Sequence, residues 1–504
     1  MQSSARWIQT FNRIFNRHLM SASVLVLIFF LLAGNIRVPG NILRDPDLWW
    51  HLADARILAT THHFIHTEPY SFTVAGKPWV DPEWLSEEFY WQGFQHVGLA
   101  GIYVVALLAL FANILFVYWR AVKRSGHAGA AFWASVIGIA LMIVNAGPRT
   151  IVIAYLAMSA EMALLEAAER GHKRLLWLLP PLFIVWINLH GTWIIGICIL
   201  VLYILSGFFS FRKGVFEQDG FSADYRNLLL LVLLASVLVT IINPYGWRLV
   251  WNPLDMMFNQ KLNIANIQEW QPLNFHMVSG IGALIAIMLS VIANSLRGRK
   301  WKVFDLAIVL FAWFSAFDHA RFAFMAAVLV VPLLAMDFQT AFCTESDEKT
   351  IPVFNMILVL SALGAIIYYY PAEAKLQKEM THNFPMQTIR SIQPSWRTLN
   401  NDGLGGIMDF ESRPTFIDSR IDTFEHHGVL KDYLDIVQFR NSLALMDKYH
   451  VDHALLQENQ ALSYLLHHTP GWTVVRSEGT GDLAYTLFVR TPGTPVCAPA
   501  ATAR

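Results

Sequence analysis

Two short stretches hold the residues whose types and spacing could do chemistry. RDPDLWWHLADARIL (44–58) supplies Asp45, Asp47 and Asp54 with His51 among them, and VDPEWLSEEFYW (80–91) supplies Asp81, Glu83, Glu87 and Glu88. Carboxylates grouped in this way can take a proton from an incoming hydroxyl or hold a divalent cation, because hard cations prefer oxygen ligands. The same syntax also has a plain structural use. Asp45 fits a helix N-cap, Pro46 the first helical position and Asp47 the first turn, where the helix dipole favours an anion, and Asp81-Pro82-Glu83 repeats the pattern. Capping and chemistry are compatible, and the acid density decides between them. One cap needs one acid, whereas this region carries Asp45, Asp47, Asp54, Glu68, Asp81, Glu83, Glu87 and Glu88 against Arg37, Arg44, Arg56 and Lys77.

The elements that position these acids are set by an apolar chain. With 55% hydrophobic residues, 15% charged residues and a mean hydropathy of +0.41 over 504 residues, there is more apolar surface than a soluble core of this length would hide. About eleven segments approach the roughly 20 apolar residues that cross a bilayer, near 18–36, 98–119, 130–147, 150–168, 175–189, 191–210, 227–243, 277–296, 303–318, 322–338 and 353–370. The first reads as a retained anchor, since its apolar run exceeds a signal-peptide core and no small-residue cleavage motif follows. Cys198, Cys343 and Cys497 lie far apart and form neither a disulfide framework nor a zinc spacing. The zero formal net charge argues against a nucleic-acid partner.

Basic residues fix the expected topology. Arg6, Arg13 and Arg17 precede the first span, and every second connection is basic: Arg120, Lys123 and Arg124; Arg170, Lys173 and Arg174; Arg212 and Lys213; Arg297, Arg299, Lys300 and Lys302. An excess of Lys and Arg marks cytoplasmic loops. The N-terminus is therefore expected inside, and the loop at about 37–97, the loop at about 244–276, the turns at 145–149 and 318–321 and the tail after 371 outside. The chain divides on this reading into a transmembrane domain, 1–370, and a soluble extracytoplasmic domain, 371–504. The tail mixes strand-like RPTFIDSRI, WTVVRSE and LAYTLFVRT with helical GVLKDYLDIVQF and SLALMDKYH, which is an α/β pattern, and ends in a low-complexity TPGTPVCAPAATAR. Trp49, Trp50, Trp84 and Trp91 are expected to lay the two loop helices along the membrane interface.

Other polar residues fall at outward span ends. The cations there are Arg44, Arg56, Arg149, Arg248 and Arg321, and guanidinium matches phosphate oxygens bidentately. In FDHARFAF, Arg321 can hold phosphate or simply pair with Asp318. Asn188 and His190 in WINLHG, and Glu269 in IQEW, can bind substrate or serve locally as structure. His62, His63 and His66 lie in a turn-rich stretch without a fourth ligand at metal spacing and read as a solvated loop. The apolar spans are comparatively clean of charge, Glu161 being an exception.

DPDLWWHLADARIL and HTEPYSFTVAGKPWVDPEWLSE, with WINLHGTW, NPYGW, IQEWQPLNF and RPTFIDSRIDTF further on, resemble bacterial multi-span proteins related to the GT-C glycosyltransferases. That superfamily includes oligosaccharyltransferases and protein mannosyltransferases. Asp54-Ala55-Arg56 stands where the pattern has Gly before Arg, and AGPRT where it has Arg before Pro. The resemblance implies a bacterial inner-membrane, α-helical multi-pass protein with two interfacial helices in the first external loop. It implies transfer of a sugar from a polyprenyl phosphate or pyrophosphate donor on the outer face, with Asp47 or Asp45 as the acceptor-activating base. Asp81 and Glu83 would be ligands for a divalent cation such as Mg or Mn. Arg321, Arg149, Arg56, His51, Asn188, His190 and Glu269 would bind substrate. A secondary carrier is the main rival on span count, but carriers bury charge at the bilayer midplane, whereas polar density here lies outside. A non-catalytic envelope assembly protein is the third reading.

Overall fold

The computed structural model describes residues 43–145, 147–267, 270–342, 364 and 372–491. The expected spans at 18–36 and 353–370, the basic N-terminal residues, Arg37, Glu269, Cys343 and the low-complexity end from 492 lie outside the described residues. The chain is predominantly helical and clusters into two compact units.

The first unit takes in Val104–Gly246 and Ile267–Tyr370. Taking the helices of the described residues in order, α1 is Pro46–Thr61, α2 Trp84–Val97, α3 Leu99–Ser125, α4 Ala128–Met142, α5 Thr150–Glu169, α6 Leu179–Leu189, α7 Trp193–Ser206 and α8 Ala223–Leu238. They continue with α9 Trp247–Asn259, α10 Lys261–Asn266, α11 Val278–Arg297, α12 Val303–Asp318 and α13 Ala323–Phe342. Every span expected within the described residues falls on a helix. Among the described residues six helical stretches are long and apolar enough to cross a membrane: Leu99–Ser125, Ala128–Asn145, Thr150–Glu169, Ala223–Ile241, Val278–Leu296 and Ala320–Ala341. The others are shorter; α6 has 11 residues and α7 has 14. A short hairpin, β1 (Phe211–Lys213) with β2 (Phe216–Gln218), links α7 to α8.

Close packing in this unit relies on small residues. A Cβ on Gly138 of α4 would meet Val331 Cγ2 of α13 at 2.6 Å, so the absence of a side chain sets the approach of these two helices. The basic residues read as topological markers are partly sequestered. Arg120 bonds Glu166 at 2.8 Å, Arg124 bonds Asp305 at 2.8 Å, and Arg299 bonds both Asp305 (3.3 Å) and Asp337 (2.7 Å). These alternating charges tie α3, α5, α12, α13 and the connection between α11 and α12, because a buried charge persists only when paired and hydrogen-bonded.

The second unit takes in Pro39–Tyr103, Trp247–Asn266 and Pro371–Arg504, so the acid-rich loop and the tail pack together. Helix α1 starts as its sequence requires: Asp45 is the N-cap and accepts from Asp47 N at 3.1 Å, with Pro46 first in the helix. Helix α2 starts later than Asp81-Pro82 implies. Asp81 Oδ1 accepts from Glu83 N at 2.9 Å, a local turn that precedes the helix, and Glu83 takes the cap position. The tryptophans correct a second expectation. Trp49, Trp50 and Trp91 are buried within the unit; Trp49 packs edge-on against Phe384 and donates to Leu43 O at 3.0 Å, while Trp50 meets Trp79. Burial suits a large apolar ring, and the Trp49 and Trp50 N–H groups keep acceptors there, in Leu43 O and Asp47 Oδ1.

The tail contributes α14 (Glu373–Asn383), α15 (Met386–Ser391), α16 (Asp402–Phe410), α17 (Ile421–His426), α18 (Val429–Val437), α19 (Ser442–Lys448) and α20 (Ala461–His468). Its strands β3 (Thr398–Asn400), β4 (His453–Gln457), β5 (Trp472–Glu478) and β6 (Tyr485–Arg490) form one sheet in the order β3-β4-β6-β5. β3 and β4 are parallel and the other pairs antiparallel. RPTFIDSRI, expected as a strand, makes only an isolated bridge from Thr415 to Ser71, because its backbone is held by the Asn400 side chain instead: Phe416 N donates to Asn400 Oδ1 at 2.8 Å. Helix α16 lies close on α1, where a Cβ on Gly406 would meet the Pro46 carbonyl oxygen at 2.2 Å.

Candidate active site

Asp47, His51 and Asp54 stand at i, i+4 and i+7 of α1 and so share one face. Asp47 is half-buried in the first turn and accepts from Trp50 Nε1 at 3.4 Å. His51 is buried, with Nδ1 2.7 Å from Glu87 Oε1 and Nε2 3.5 Å from Glu83 Oε2, both on or capping α2. Asp54, 2% exposed, accepts from Tyr70 Oη at 2.6 Å and from Trp79 Nε1 at 3.3 Å.

Three carboxylates converge here. Asp54, Asp81 and Glu87 are all buried, and one oxygen of each lies within 4.8 Å of the others. Burial pushes the Asp54 carboxyl up to about 6 against the pull of Arg420, and burial with the neighbouring Asp54 charge pushes Asp81 up to about 8. Glu87 is driven well above the ordinary carboxylate range by burial and by Asp81. Glu87 Oε2 is buried without a protein hydrogen-bond donor. Desolvation of this kind makes such a cluster hold protons or a cation, and an all-oxygen donor set suits a hard divalent metal such as Mg or Mn.

The charge that faces the cluster comes from the tail. Arg420 is buried and forks between Glu68, at 2.8 and 2.9 Å, and Asp418, at 2.6 and 3.1 Å. Its guanidinium lies 4.9 Å from the Trp79 ring and 5.0 Å from the Tyr70 ring. Glu68 also accepts from Tyr70 N and Ser71 N, both at 2.8 Å, which fixes the turn that presents Tyr70.

The structure therefore brings together Asp81, Glu83 and His51 of the residues singled out from sequence. It adds Asp54 and Glu87, whose helical spacing from Asp47 and Glu83 was the available signal. Arg56 lies apart from these acids, half-buried, donating to Ser412 Oγ at 3.2 Å and resting over the Phe410 ring. Tyr70 and Trp79 lie in HTEPYSFTVAGKPWVDPEWLSE and Arg420 in RPTFIDSRIDTF, but no residue type or spacing there marked them as partners of the acids, because only the tertiary fold aligns them.

Arg321, Arg149, Asn188 and His190 belong to the membrane unit. Arg321 sits over the Trp270 ring at 4.4 Å, and His319 Nδ1 donates to Trp270 O at 2.7 Å. Asp318 lies 3.4 Å from His319 Nε2. Arg149 is the N-cap residue of α5. Asn188 Nδ2 donates to Ile184 O and Ile242 O, and His190 Nδ1 accepts from Thr192 N at 3.0 Å. His62 and His63 are exposed, as a solvated loop requires.

No protein-family model and no curated protein matches the sequence. Solved structures do. Archaeal oligosaccharyltransferase AglB from Archaeoglobus fulgidus, in complex with an inhibitory peptide and a dolichol-phosphate, aligns with a TM-score of 0.55 at 11% identity, over 94% of this chain and 75% of that one. The A. fulgidus oligosaccharyltransferase tethered to an acceptor peptide containing the NVT sequon aligns at 0.53 and 12% identity, over 86% and 69%. ArnT from Cupriavidus metallidurans, bound to undecaprenyl phosphate, aligns at 0.50 and 13% identity, over 93% and 98%. The chain shares the fold of these solved structures. Within it the acid cluster belongs to the loop-and-tail unit, and the six candidate membrane helices among the described residues make the chain a membrane protein.

Proposed function

We propose that the protein moves a sugar from a polyprenyl phosphate or pyrophosphate donor to an acceptor at the outer face of the bacterial inner membrane, through about eleven spans that place the N-terminus in the cytoplasm. The observation that carries this reading is the convergence of Asp54, Asp81 and Glu87 beside the α1 face that bears Asp47. Such donors are bound by structural neighbours of the same fold: dolichol-phosphate by AglB and undecaprenyl phosphate by ArnT.

In the proposed reaction the acceptor O–H or N–H attacks the anomeric carbon from the face opposite the phosphate. The new bond forms with inversion as the sugar–phosphate C–O bond breaks, the electron pair leaves with the lipid phosphate, and Asp47 takes the acceptor proton. A phosphate is already a good leaving group, so one base and a compensating positive charge suffice, and a second carboxylic acid for the leaving group is dispensable. Asp54, Asp81 and Glu87 would hold the divalent cation, with Glu83 and His51 supporting Glu87; the cation would supply positive charge against the departing phosphate. Arg321 and Arg149 are the proposed phosphate-binding cations of the membrane unit, with Asn188, His190 and Glu269 as candidate substrate contacts there.

The test is turnover of labelled polyprenyl-phosphate sugars by purified protein in lipid. Loss of the base costs about 10²- to 10⁴-fold where general-base catalysis operates, so Asp47→Asn is expected to fall in that range. Asp81→Asn and Glu87→Gln are expected to lose turnover together with divalent-cation dependence. Unchanged turnover in all three variants would overturn the assignment.

A further inference from the structure

The tail does more than accompany the loop. Arg420 is fully enclosed, and among the described residues its guanidinium makes its polar contacts to Glu68 of the loop and to Asp418 two residues before it. Two aromatic rings, Tyr70 and Trp79, lie against this guanidinium, and both donate their polar hydrogen to Asp54. A carboxylate held by two donors on rings that are themselves pinned has little rotational freedom, and outer groups that orient ligands in this way govern metal affinity. The Asp418 backbone is fixed in turn by Gly405 of α16, where a Cβ would meet Asp418 Cα at 2.3 Å.

We propose that Arg420 of the tail is a positioning residue for the acid cluster, acting through Tyr70 and Trp79 on Asp54, so that the cation site is complete only when the tail is folded against the first loop. This rests on the reading of Asp54, Asp81 and Glu87 as a cation site. Among the described residues Arg420 donates no hydrogen bond to any of the three carboxylates; beside the direct pull of its charge on Asp54, it positions that carboxylate through the two rings. Lysine cannot replace it, because one ammonium cannot fork between Glu68 and Asp418 while covering both rings.

Mn²⁺ titration of the full-length protein in nanodiscs, read by electron paramagnetic resonance of the bound ion, tests this without an activity assay. Removal of an outer-shell partner typically weakens metal binding by about 10- to 100-fold, so Arg420→Gln is expected in that range and Arg420→Lys to recover only part of the loss. Tyr70→Phe and Trp79→Phe leave the Arg420 ion pairs in place and keep the rings, so they report on the relay even if Arg420→Gln fails to fold. Each is expected to raise the Mn²⁺ Kd about 10-fold, the lower end of that same range, with little change in melting temperature for Tyr70→Phe. Asp54→Asn is expected to abolish binding. If Asp54→Asn loses Mn²⁺ while Tyr70→Phe, Trp79→Phe and Arg420→Lys bind as wild type does, the positioning role is overturned and the cation site stands. If wild type binds no Mn²⁺, both are overturned.

Discussion

Asp45 and Asp47 are two residues apart and do different work. Asp45 accepts from Asp47 N at the helix start, whereas the Asp47 side chain is turned to Trp50. Asparagine caps as well as aspartate, so Asp45→Asn is expected to keep both stability and turnover, while Asp45→Ala costs about 0.5–2 kcal/mol of stability. Loss of turnover in Asp45→Asn would give Asp45 a chemical role beyond the cap. Asp409 offers a separate reading of buried charge. It is fully buried on α16, Thr415 Oγ1 donates to its Oδ1 at 3.1 Å, and burial, followed by the charge of Asp418, raises its carboxyl well above the ordinary range. Because the folded-state value is raised, its contribution is fully present below the unfolded pKa, near 4, and is lost as pH rises through the folded value. Asp409→Asn is expected to flatten the melting temperature against pH over that window and to be more stable than wild type at its alkaline end. Proton binding that is tenfold tighter in the folded chain than in the unfolded one is worth about 1.4 kcal/mol. Parallel pH profiles for the two proteins would refute this.

At the scale of elements, α1 is the organising piece of the loop-and-tail unit. Its Asp47–His51–Asp54 face turns toward the acids, and its N-terminal carbonyls meet α16 at Gly406. The obstruction to a side chain at Gly406 is backbone, which cannot rotate away as a flexible side chain would. Gly406→Ala is therefore expected to destabilise by about 1–3 kcal/mol, the usual cost of overpacking, read as a lowered melting midpoint; an unshifted midpoint would mean that α16 can slide on α1. The caps and the helical period of α1 were legible from DPDLWWHLADARIL. The late start of α2 was not, because Asp81 closed a local turn in place of a cap, a choice made by the position of its carboxyl among other buried acids. WTVVRSE and LAYTLFVRT alternate strongly enough to be read as strands, whereas RPTFIDSRI reads the same way and is not one, its backbone partner being the Asn400 side chain.

At the scale of the molecule, two units are stabilised by different means. The membrane unit buries an alternating series of Arg and acid side chains across four helices and the connection between α11 and α12, and the loop-and-tail unit buries Arg420 between two acids. Removing one partner of a buried pair leaves an uncompensated charge and costs about 3–5 kcal/mol, whereas replacing both by apolar groups is often close to neutral. Asp337→Leu is thus expected to lower the melting temperature sharply, and Arg299→Met with Asp337→Leu to recover much of the loss, although Asp305 keeps part of the Arg299 pairing in the wild type. Additive losses in the double variant would show that the pair acts as two independent charges.

Composition and hydrophobic period alone determined that the chain is rich in apolar helices, six of them among the described residues long enough to cross a membrane, and that its acids gather in one loop, because each of these follows from local residue type and the thickness of a bilayer. Only the tertiary structure decided which acids meet. Asp54, Asp81 and Glu87 come from a helix, a turn and a second helix, and Arg420 lies more than 300 positions along the chain from all of them. The cost of burying charge is satisfied by whatever partner the fold brings near, and no local pattern in the sequence specifies that partner.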